Sequence, residues 1–527
     1  MARLRHPQQT LQSAVSCFQA GDLGGAAAHC GTLLQSLPKE PNALHILGAV
    51  RLRQKDPETA VRLLTTAHEA APKNAEVLIN LGAALCGCNK PVQAAEILHE
   101  DGNHTDSLVA YEALDALEPD NPQTLNAIGA LHAGQGRLNT AEEYVRRAQT
   151  LDPHDCDVAI NLGNILATGF RVDDALNLYR QALLSSPDNP DLLCNIGNAL
   201  SHSGDSKGAA ENYTRALEID PEHIDAHASL ANSLLANGDY RDGWEHFLKR
   251  TSTRPIAQRL YRTPFAQDLS EKPVVLLADQ GLGDQIFFAR FLTTLKRRGA
   301  HVVFRPDARL SDMLVRSGIA DEIVGEAHAS DGNYIVSAGD LPFLLAEFRK
   351  TDTPSAFAIP AHDMALRNKL DAFGPPPWIG VTRRAGTPNL KRALMKEAPA
   401  ARLASALEGI KGTIVTIQRN APDEEIDRFS AALGRPVLDL SDTNNDIEDS
   451  LALSGLLDRY VGVSNTMTHL RAARGRCSDV LVPTPAEFRW MNRGDSSPWF
   501  PGCRIFRQSF DGDWGPAFTR LVEITGA

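Results

Sequence analysis

Proline recurs through the first half of the chain at a fixed interval of 34 residues. The prolines on this interval are an upstream pair, Pro38 and Pro72, and a longer series, Pro119, Pro153, Pro187, Pro221 and Pro255. A period of this length exceeds an ordinary helix or strand and is typical of a repeated pair of antiparallel helices that buries its apolar face against the next pair. The first half of the chain is therefore expected to be an α-helical solenoid.

A small residue also recurs in each period, at the point where the two helices of a pair would cross. These residues are Gly48, Gly82, Gly129, Gly163, Gly197 and Ala231. Only small side chains fit between closely crossing helices. The combined pattern resembles the tetratricopeptide repeat and predicts seven repeats over residues 7–255. One interval is longer by thirteen residues, which indicates an insertion near 91–104, either a tolerated loop or part of a binding face.

Asparagine recurs beside the crossing positions, at Asn80, Asn161 and Asn195 on one side and at Asn164, Asn198 and Asn232 on the other. A side-chain amide donates and accepts, so it binds a peptide backbone whatever the peptide's sequence. The runs Asn161–Asn164 and Asn195–Asn198 resemble repeats of the O-linked N-acetylglucosamine transferases, whose asparagines hold an extended acceptor peptide. The resemblance implies that Asn80, Asn161 and Asn195 bind an acceptor; the alternative is that they only cap or hydrate the groove.

Charge and hydropathy limit the partners of such a chain. The net charge is −12, and residues 1–260 hold 21 Lys and Arg against 32 Asp and Glu. An acidic solenoid is a poor match for nucleic acid or an anionic membrane, whereas a peptide partner is allowed.

No apolar run is long enough to span a bilayer, and no secretory signal begins the chain, so a cytoplasmic location is predicted. The eight cysteines show no CxxC or zinc spacing.

From residue 273 onward, short β-branched runs alternate with helical stretches, the pattern of βαβ units. The expected strands are Val274–Ala278, His301–Arg305, Tyr334–Ser337, Ile379–Thr382, Thr413–Gln418 and Val480–Pro483. The proline-rich break at 374–377 divides this region into 273–375 and 376–527, after a linker at 256–272. The predicted fold class is thus an α-helical solenoid followed by an α/β pair of Rossmann-like domains that face a cleft.

The turn after the first of these strands carries the first resemblance to an enzyme family. The run Gly281-Leu-Gly-Asp284-Gln-Ile is similar to the Leu-Gly-Asp turn of the bacterial heptosyltransferases, family 9 of the GT-B glycosyltransferases. The resemblance implies that Asp284 is the general base and that Gly281, Gly283 and Gln285 bind the acceptor, with the glycines forming a sharp turn close to a sugar. Asp284 is alternatively a helix N-cap.

A second segment, 380–387 followed by Lys396-Glu-Ala-Pro399, resembles the opening strand and turn of that family's nucleotide-binding domain. The resemblance implies that Lys396, together with Arg383 or Arg384, neutralises the phosphates of the donor. The alternative is ordinary surface charge. Gln418, at the end of a later strand, is expected to contact the base or the ribose.

A third segment, Tyr460–Arg471, predicts a strand that runs directly into a helix. Ser464, Asn465 and Thr466 at the helix start could present hydroxyl and N–H groups to a phosphate. The heptosyltransferases carry Asp-Thr-Gly here and His-Leu shortly after it; His469 and Leu470 match the latter, while Ser464 replaces the aspartate. The resemblance implies a catalytic role for His469, against a structural role as the alternative.

Taken together, the resemblances imply a metal-independent glycosyltransferase that moves a sugar from a nucleotide-sugar donor to a Ser or Thr hydroxyl of a protein held by the repeats. Closing segments such as 483–490 look like those of bacterial proteins that fuse such repeats to this transferase domain, and flagellin is an example of an acceptor by similarity. No cofactor is expected beyond the donor itself. The alternatives are a catalytically inactive scaffold and a transferase acting on glycolipid or lipopolysaccharide.

Overall fold

The chain forms two compact units, Met1–Leu166 and Ala167–Ala527. The computed structural model describes residues 7–71, 74–88, 104–117, 119–250, 262–270, 272–278, 280–325, 334–348, 363–385 and 396–526. Residues outside the described ranges include Pro72, Pro255, nearly all of the expected insertion at 91–104, and positions 256–261 and 271 of the expected linker at 256–272. The bounds predicted for the domains stay predictions.

The first unit consists of antiparallel helix pairs. Several of its helices begin at an acidic or amide side chain that accepts a hydrogen bond from a backbone N–H three residues later, as Asp22, Asp56 and Asn121 do, and Pro57 and Pro122 stand at the first helical position. The helices are Pro7–Gln19, Leu23–Ser36, Pro41–Arg53, Pro57–Ala70, Ala75–Gly87, His104–Leu117, Pro122–Gly134, Leu138–Leu151 and Cys156–Thr168, the last of which runs across the boundary between the units.

Three of the recurring small residues, Gly48, Gly129 and Gly197, lie where the period predicts, at the crossings within helix pairs. A Cβ added to Gly48 would lie 2.5 Å from Leu64 Cγ, and one added to Gly129 would lie 2.2 Å from Val145 Cγ2. In the second unit the same substitution at Gly197 would meet the Tyr213 ring at 2.5 Å. A larger side chain at any of the three would force the pair apart, which confirms the helix-pair interpretation of the period.

The second unit begins with the remaining helix pairs and continues into two parallel sheets. Its repeat helices are Val172–Ser185, Pro190–His202, Ser206–Ile219, Ile224–Asn237 and Tyr240–Phe247. The helices Ile224–Asn237 and Tyr240–Phe247 form the terminal pair. The helices among the strands are Leu282–Phe288, Leu292–Arg297, Ser311–Ser317, Leu341–Leu344, Asp363–Phe373, Ala400–Leu407, Asp423–Leu433, Ile447–Leu456, Thr466–Ala473 and Gly515–Thr525.

The first sheet has four parallel strands in the order β3-β2-β1-β4. They are β1 (Pro273–Leu277), β2 (His301–Arg305), β3 (Glu322–Ile323) and β4 (Tyr334–Ser337). Val275 in β1 pairs with Val303 in β2 on one side and with Ile335 in β4 on the other. Three of these strands match the predicted ones to within a residue, while the edge strand β3 is too short to produce an alternation in the sequence.

The second sheet has six parallel strands in the order β10-β9-β8-β5-β6-β7. They are β5 (Trp378–Thr382), β6 (Thr413–Thr416), β7 (Leu438–Asp439), β8 (Arg459–Val463), β9 (Asp479–Val482) and β10 (Arg504–Arg507). The order reverses at β5, so the segments after β8, β5 and β6 meet at one edge, the usual ligand position of such sheets. The parallel sheets confirm the α/β class predicted for this region.

One apolar core joins the terminal pair, the first sheet and residues 486–505. Leu235 and Trp244 of the terminal pair, Leu276 of β1, and Phe488 and Trp499 are all buried in it. The Trp244 ring contacts Phe488 and Trp499 edge-on, with centroids 5.3 and 5.9 Å away. No helix that the structure describes combines the length and the apolar character needed to cross a membrane. The last repeat is therefore structurally continuous with the α/β region.

Candidate functional site

The turn after β1 and the helix after β8 lie directly against each other. The helix Leu282–Phe288 packs on the helix Thr466–Ala473, and a Cβ added to Gly283 would lie 2.8 Å from Cδ2 of His469. Gly283 is therefore required by the close approach of the His469 ring. Gly281 has φ −63° and ψ 167°, which any residue adopts, so the predicted need for glycine in a sharp turn is wrong at this position.

The carboxylate of Asp284 stands at this contact and pairs with the Arg489 guanidinium. The Arg489 side chain is 8% exposed and that of Asp284 is 26% exposed. Asp284 lies in the first turn of its helix, where Gly281 is the N-cap residue, so the N-cap alternative for Asp284 is wrong. Arg489 is supplied from a segment about 200 residues away in sequence, and no motif or spacing in the sequence points to it.

His469 is buried, and the Phe500 ring contacts it at a centroid distance of 5.3 Å. Burial, followed by the positive charges of Arg489, Arg290 and Lys396, holds the pKa of the imidazole well below its usual value, against the opposing charge of Glu487. Its Nδ1 has no hydrogen-bond partner among the residues that the structure describes. The ring is thus neutral at neutral pH, and its buried Nδ1 remains able to donate or accept.

Lys396, Ser464 and Glu487 form a second polar group at this edge. The Lys396 Nζ lies 2.5 Å from one carboxylate oxygen of Glu487, and the Ser464 hydroxyl donates to the other at 3.2 Å. Burial would raise the pKa of Glu487, but Lys396 and Arg489 outweigh it and lower this pKa to about 2. Glu487 is therefore ionised, and it supplies a carboxylate beside Ser464, the residue that replaces the aspartate of the heptosyltransferase pattern.

The two arginines after β5 are also paired with carboxylates. Arg383 bonds Glu425, with Nε 2.9 Å from Oε1, and pairs with Glu397; Arg384 lies 3.2 Å from the other oxygen of Glu425. Gln418 is buried, accepts from the backbone N–H groups of both arginines at 3.1 Å and donates to the Arg384 carbonyl at 3.0 Å. Gln418 and Arg383 also line a small pocket with Val381 and Phe429.

Asn465 caps the helix Thr466–Ala473. Its Oδ1 accepts from the Thr468 N–H at 3.2 Å, and its Nδ2 donates to the Tyr460 hydroxyl at 2.7 Å. Ser464 is buried, and Thr466 is partly exposed at the first helical position. The helix start is thus formed as predicted, with the Asn465 amide engaged in holding it.

Gln285 joins two turns at the edge of the first sheet. It is buried; its Nε2 donates to the Gln280 carbonyl at 2.9 Å, and its Oε1 accepts from the Asp307 N–H at 2.9 Å. Both ends of the side chain are used within the protein. Its expected contact with an acceptor stays a prediction, while its visible role is to fix the turn that carries Asp284.

The three asparagines predicted to bind an acceptor lie in helices of the repeats. Asn80 bonds His45 at 2.8 Å and Asn161 donates to Asn126 at 3.0 Å, in each case 35 residues earlier, while Asn195 donates to the Asp191 carbonyl of its own helix at 2.8 Å. Asn80 and Asn161 belong to the first unit and Asn195 to the second. Each amide nevertheless keeps hydrogen-bonding capacity for a further partner.

Asn232 in the terminal pair binds backbone within the protein. Its Nδ2 donates to the Ala486 carbonyl at 3.2 Å, and its Oδ1 accepts from the Phe488 N–H at 2.8 Å. These groups flank Glu487 on both sides. The sequence carried a signal for this residue, since Asn232 follows Asn198 by one period, but nothing in the period identified residues 486–488 as its partner.

Within the described residues, no group of three or more His, Cys, Asp or Glu side chains is arranged to hold a metal ion. The charged groups where the turn after β1 meets the helix after β8 instead form pairs of opposite sign. Asp284 and Glu487 are each bound to a cation, and Lys396 and Arg489 are supplied from different segments. This arrangement can hold an anionic ligand if a carboxylate gives up its cation, and it offers Asp284 as a proton acceptor.

Comparisons with known proteins name the repeats. Family models of the tetratricopeptide repeat match residues 51–100, 122–155, 161–224 and 212–245. Among solved structures, a tetratricopeptide repeat protein from Parabacteroides merdae covers 47% of this chain and 92% of its own, at 15% identity and TM-score 0.30. YrrB, described as a TPR protein with an unusual peptide-binding site, covers 38% and 97%, at 17% identity and TM-score 0.24.

Two curated proteins are distant relatives. Protein FlbA of Caulobacter vibrioides is 24% identical over 281 residues, which are 49% of this chain and 46% of that protein. The CTR9 homolog of Arabidopsis thaliana is 38% identical over 60 residues, which are 11% of this chain and 6% of that protein. The chain thus spans less than half the length of either relative. Its N-terminal part is a tetratricopeptide-repeat region, followed by an α/β region of two parallel sheets that these family models leave unnamed.

Proposed function

We propose that this chain is a glycosyltransferase that moves a sugar from a nucleotide-sugar donor to a Ser or Thr hydroxyl of a protein selected by the repeats. The observation that carries the proposal is the contact of Gly283 with His469 and the pairing of Asp284 with Arg489, beside the group formed by Lys396, Ser464 and Glu487. A carboxylate from one sheet edge and cations near the other are what sugar transfer to a hydroxyl needs. The tetratricopeptide repeats support a protein partner.

The proposed reaction is a displacement at the anomeric carbon of the donor sugar. The acceptor oxygen forms the new bond to that carbon while the bond from carbon to the phosphate oxygen breaks, and its electron pair leaves with the nucleoside diphosphate. The proton of the acceptor hydroxyl passes to the Asp284 carboxylate. Since Arg489 is the counter-ion of Asp284, the acceptor hydroxyl competes with Arg489 for this carboxylate.

Lys396 is the proposed counter-ion of the departing diphosphate. In the structure its ammonium group is bonded to Glu487, so binding of the donor must draw Lys396 away from that carboxylate. Ser464 and Thr466 would add hydroxyl groups to the same phosphates. His469 is neutral near pH 7 because its pKa is held low, so it would act through hydrogen bonds of an uncharged ring.

Binding of nucleotides tests the donor site. We expect one of UDP, GDP, ADP, dTDP or CMP to raise the melting temperature of the full chain, since a ligand at 100 times its dissociation constant stabilises a protein by about 2.7 kcal/mol. Lys396→Ala should abolish the shift. Stabilisation that persists in this variant would remove Lys396 from the donor site.

Turnover of the matching nucleotide sugar tests the base. Asp284→Asn should keep the nucleotide-induced shift and lose about 10²- to 10⁴-fold in turnover, the usual contribution of a positioned base. Asp495→Asn, which removes an exposed carboxylate paired with Arg520, is the matched control and should retain activity. Full turnover by Asp284→Asn would contradict the assignment of the base.

The acceptor is proposed to be a protein, of which flagellin is one example. Mass spectrometry of surface and flagellar proteins from cells with and without the gene would find a glycan on Ser or Thr that depends on this chain. A glycan confined to lipid would contradict the proposed acceptor class.

One observation favours a second function, a scaffold without catalytic activity. Arg383, Arg384 and Lys396, the cations assigned to the donor, are all paired with glutamates, namely Glu425, Glu397 and Glu487. A site that has lost its ligand would be expected to neutralise its cations in this way. Failure of all five nucleotides to stabilise the wild-type chain would favour the scaffold over the transferase.

A further inference from the structure

The two hydrogen bonds that the Asn232 side chain makes to backbone groups have the same pattern as the pairing of two parallel β-strands. In an extended segment, the carbonyl of one residue and the N–H group two residues later point to the same side, and a neighbouring parallel strand bonds both with one residue. Glu487 is extended, with φ −66° and ψ 147°, and the Asn232 amide bonds the Ala486 carbonyl and the Phe488 N–H in this manner. One side chain therefore holds the backbone on both sides of Glu487.

Side chains of the same short segment reach both halves of the candidate site. The Glu487 carboxylate contacts Lys396 and Ser464, and the guanidinium of Arg489 pairs with Asp284. Phe488, between them, is buried against Trp244 of the terminal pair. The position of this backbone therefore determines which carboxylate Lys396 meets and which cation Asp284 meets.

Asn198 shows that the contact is particular to the terminal pair. It occupies the equivalent position one period earlier and is half-buried like Asn232. Its Oδ1 accepts from the Tyr213 hydroxyl at 2.9 Å and from the Ser229 hydroxyl at 3.2 Å, both within the repeats. Asn198 and Asn232 thus occupy the same place in successive repeats, but only Asn232 is hydrogen-bonded to residues 486–488.

We infer that Asn232 is a positioning residue for the candidate site: the last tetratricopeptide repeat fixes Glu487 and Arg489 through the backbone hydrogen bonds of one amide. As a statement about catalysis, this inference rests on the proposed function. As a statement about the arrangement of charges, it concerns the free protein and is tested without a nucleotide.

The test compares Asn232→Ala with the matched control Asn198→Ala in the full chain. Acetylation of Lys396 by acetic anhydride, followed by mass spectrometry, reports on Glu487, because an ammonium group covered by a carboxylate reacts slowly. Lys296, which pairs with Asp321 at 3.0 Å, is the internal reference. Hydrogen exchange of a peptide that contains the Phe488 amide reports on the backbone.

Asn232→Ala loses both hydrogen bonds of the amide. We expect it to raise the acetylation of Lys396 and the exchange near Phe488 by at least about fivefold, the effect of losing one hydrogen bond of ordinary strength. Asn198→Ala should raise neither. Unchanged acetylation of Lys396 in Asn232→Ala, or an equal rise in Asn198→Ala, would overturn the inference.

Folding of the variant is protected by other contacts of the segment, since Asn492 donates to Asn237 at 2.9 Å and its N–H donates to the Ala236 carbonyl at 3.1 Å. Asn232→Asp keeps the acceptor for the Phe488 N–H and loses the donor to Ala486, so a smaller rise in acetylation is expected. If the alanine variant does not fold, the aspartate variant decides. Absence of nucleotide binding by the wild type would refute the transferase and leave this result standing.

Discussion

At the scale of single residues, the candidate site depends on how the negative charge of the Glu487 carboxylate is neutralised. Its carboxylate is bound by Lys396 and Ser464 and lies in the field of Arg489, which together overcome the cost of burial. Removing a carboxylate from this group would leave Lys396 without its counter-ion, and removing the cation would leave a half-buried negative charge. Glu487 is therefore both a structural ion partner and the group that a phosphate ligand must displace.

The titration of Glu487 should appear in the stability of the protein. Folding lowers its pKa from the ordinary 4.5 to about 2, so its contribution is complete above pH 4.5 and is lost as the pH falls towards 2. Between pH 6 and pH 4 we expect the wild type to lose about 1 kcal/mol more unfolding free energy than Glu487→Gln. Urea denaturation at the two pH values measures this difference.

An exposed glutamate provides the comparison for this measurement. Glu523 lies exposed on the last helix, and Glu523→Gln should follow the wild type at both pH values. An equal dependence of stability on pH in the wild type and in Glu487→Gln would show that Glu487 is not held as a carboxylate.

At the scale of elements, two short helices determine how the site comes together. Leu282–Phe288 follows β1, Thr466–Ala473 follows β8, and they meet with the ring of His469 against the backbone of Gly283. Backbone and ring are in contact without an intervening side chain, so the distance between Asp284 and the second helix has little freedom.

Two glycines one residue apart test this contact. Gly283→Ala adds a methyl group 2.8 Å from the His469 ring and should destabilise the protein by about 1 to 3 kcal/mol. Gly281→Ala meets only an oxygen of Asp284, at 3.4 Å, and should change stability by less than about 0.5 kcal/mol. Chemical denaturation of both variants gives the comparison.

A second substitution, at His469, shows whether the ring causes the loss of stability in Gly283→Ala. With His469→Ala in the background, Gly283→Ala should cost less, because the ring that it meets is gone. Equal costs for the two glycine variants, or no effect of removing the ring, would contradict the proposed contact.

The elements themselves could largely be predicted from sequence, and their long-range partners could not. The 34-residue period predicts the helix pairs, and buried β-branched runs predict strands such as β2 and β4. The charged partners are set differently: Arg489 meets Asp284, and Glu487 meets Lys396, across about 200 and 90 residues of chain. No local spacing records such pairs, and a charged residue in a loop has the same pattern whether it is paired or solvated.

At the scale of the whole chain, the boundary between compact units falls within the repeats. The second unit begins at Ala167, so it contains repeat helices as well as both sheets. Trp244 of the terminal pair is buried among aromatic rings of the α/β region, and its Nε1 donates to the Phe348 carbonyl at 2.9 Å. The buried guanidinium of Arg250, just after this pair, bonds Asp340 at 2.5 Å. These contacts make the last repeat part of the α/β fold.

Two fragments of the chain test this dependence. A fragment of residues 156–527 keeps the terminal pair and should unfold in one cooperative transition. A fragment of residues 262–527 lacks Trp244 and Arg250, which leaves an apolar surface open and Asp340 without its buried counter-ion. We expect it to aggregate or to lose its near-ultraviolet circular dichroism. A fragment 262–527 that is monomeric and as stable as 156–527 would contradict the shared core.

The bonds from Asn232 to Ala486 and Phe488 also limit how this protein can be rebuilt. Tetratricopeptide arrays are usually treated as interchangeable modules, because each repeat touches only its neighbours. Here the last module is not interchangeable: a consensus repeat in its place would keep the helices and lose the amide, the tryptophan and the arginine that the following domain uses. Engineers who graft a new repeat array for another target should make the junction upstream of Ile224 and keep the native terminal pair.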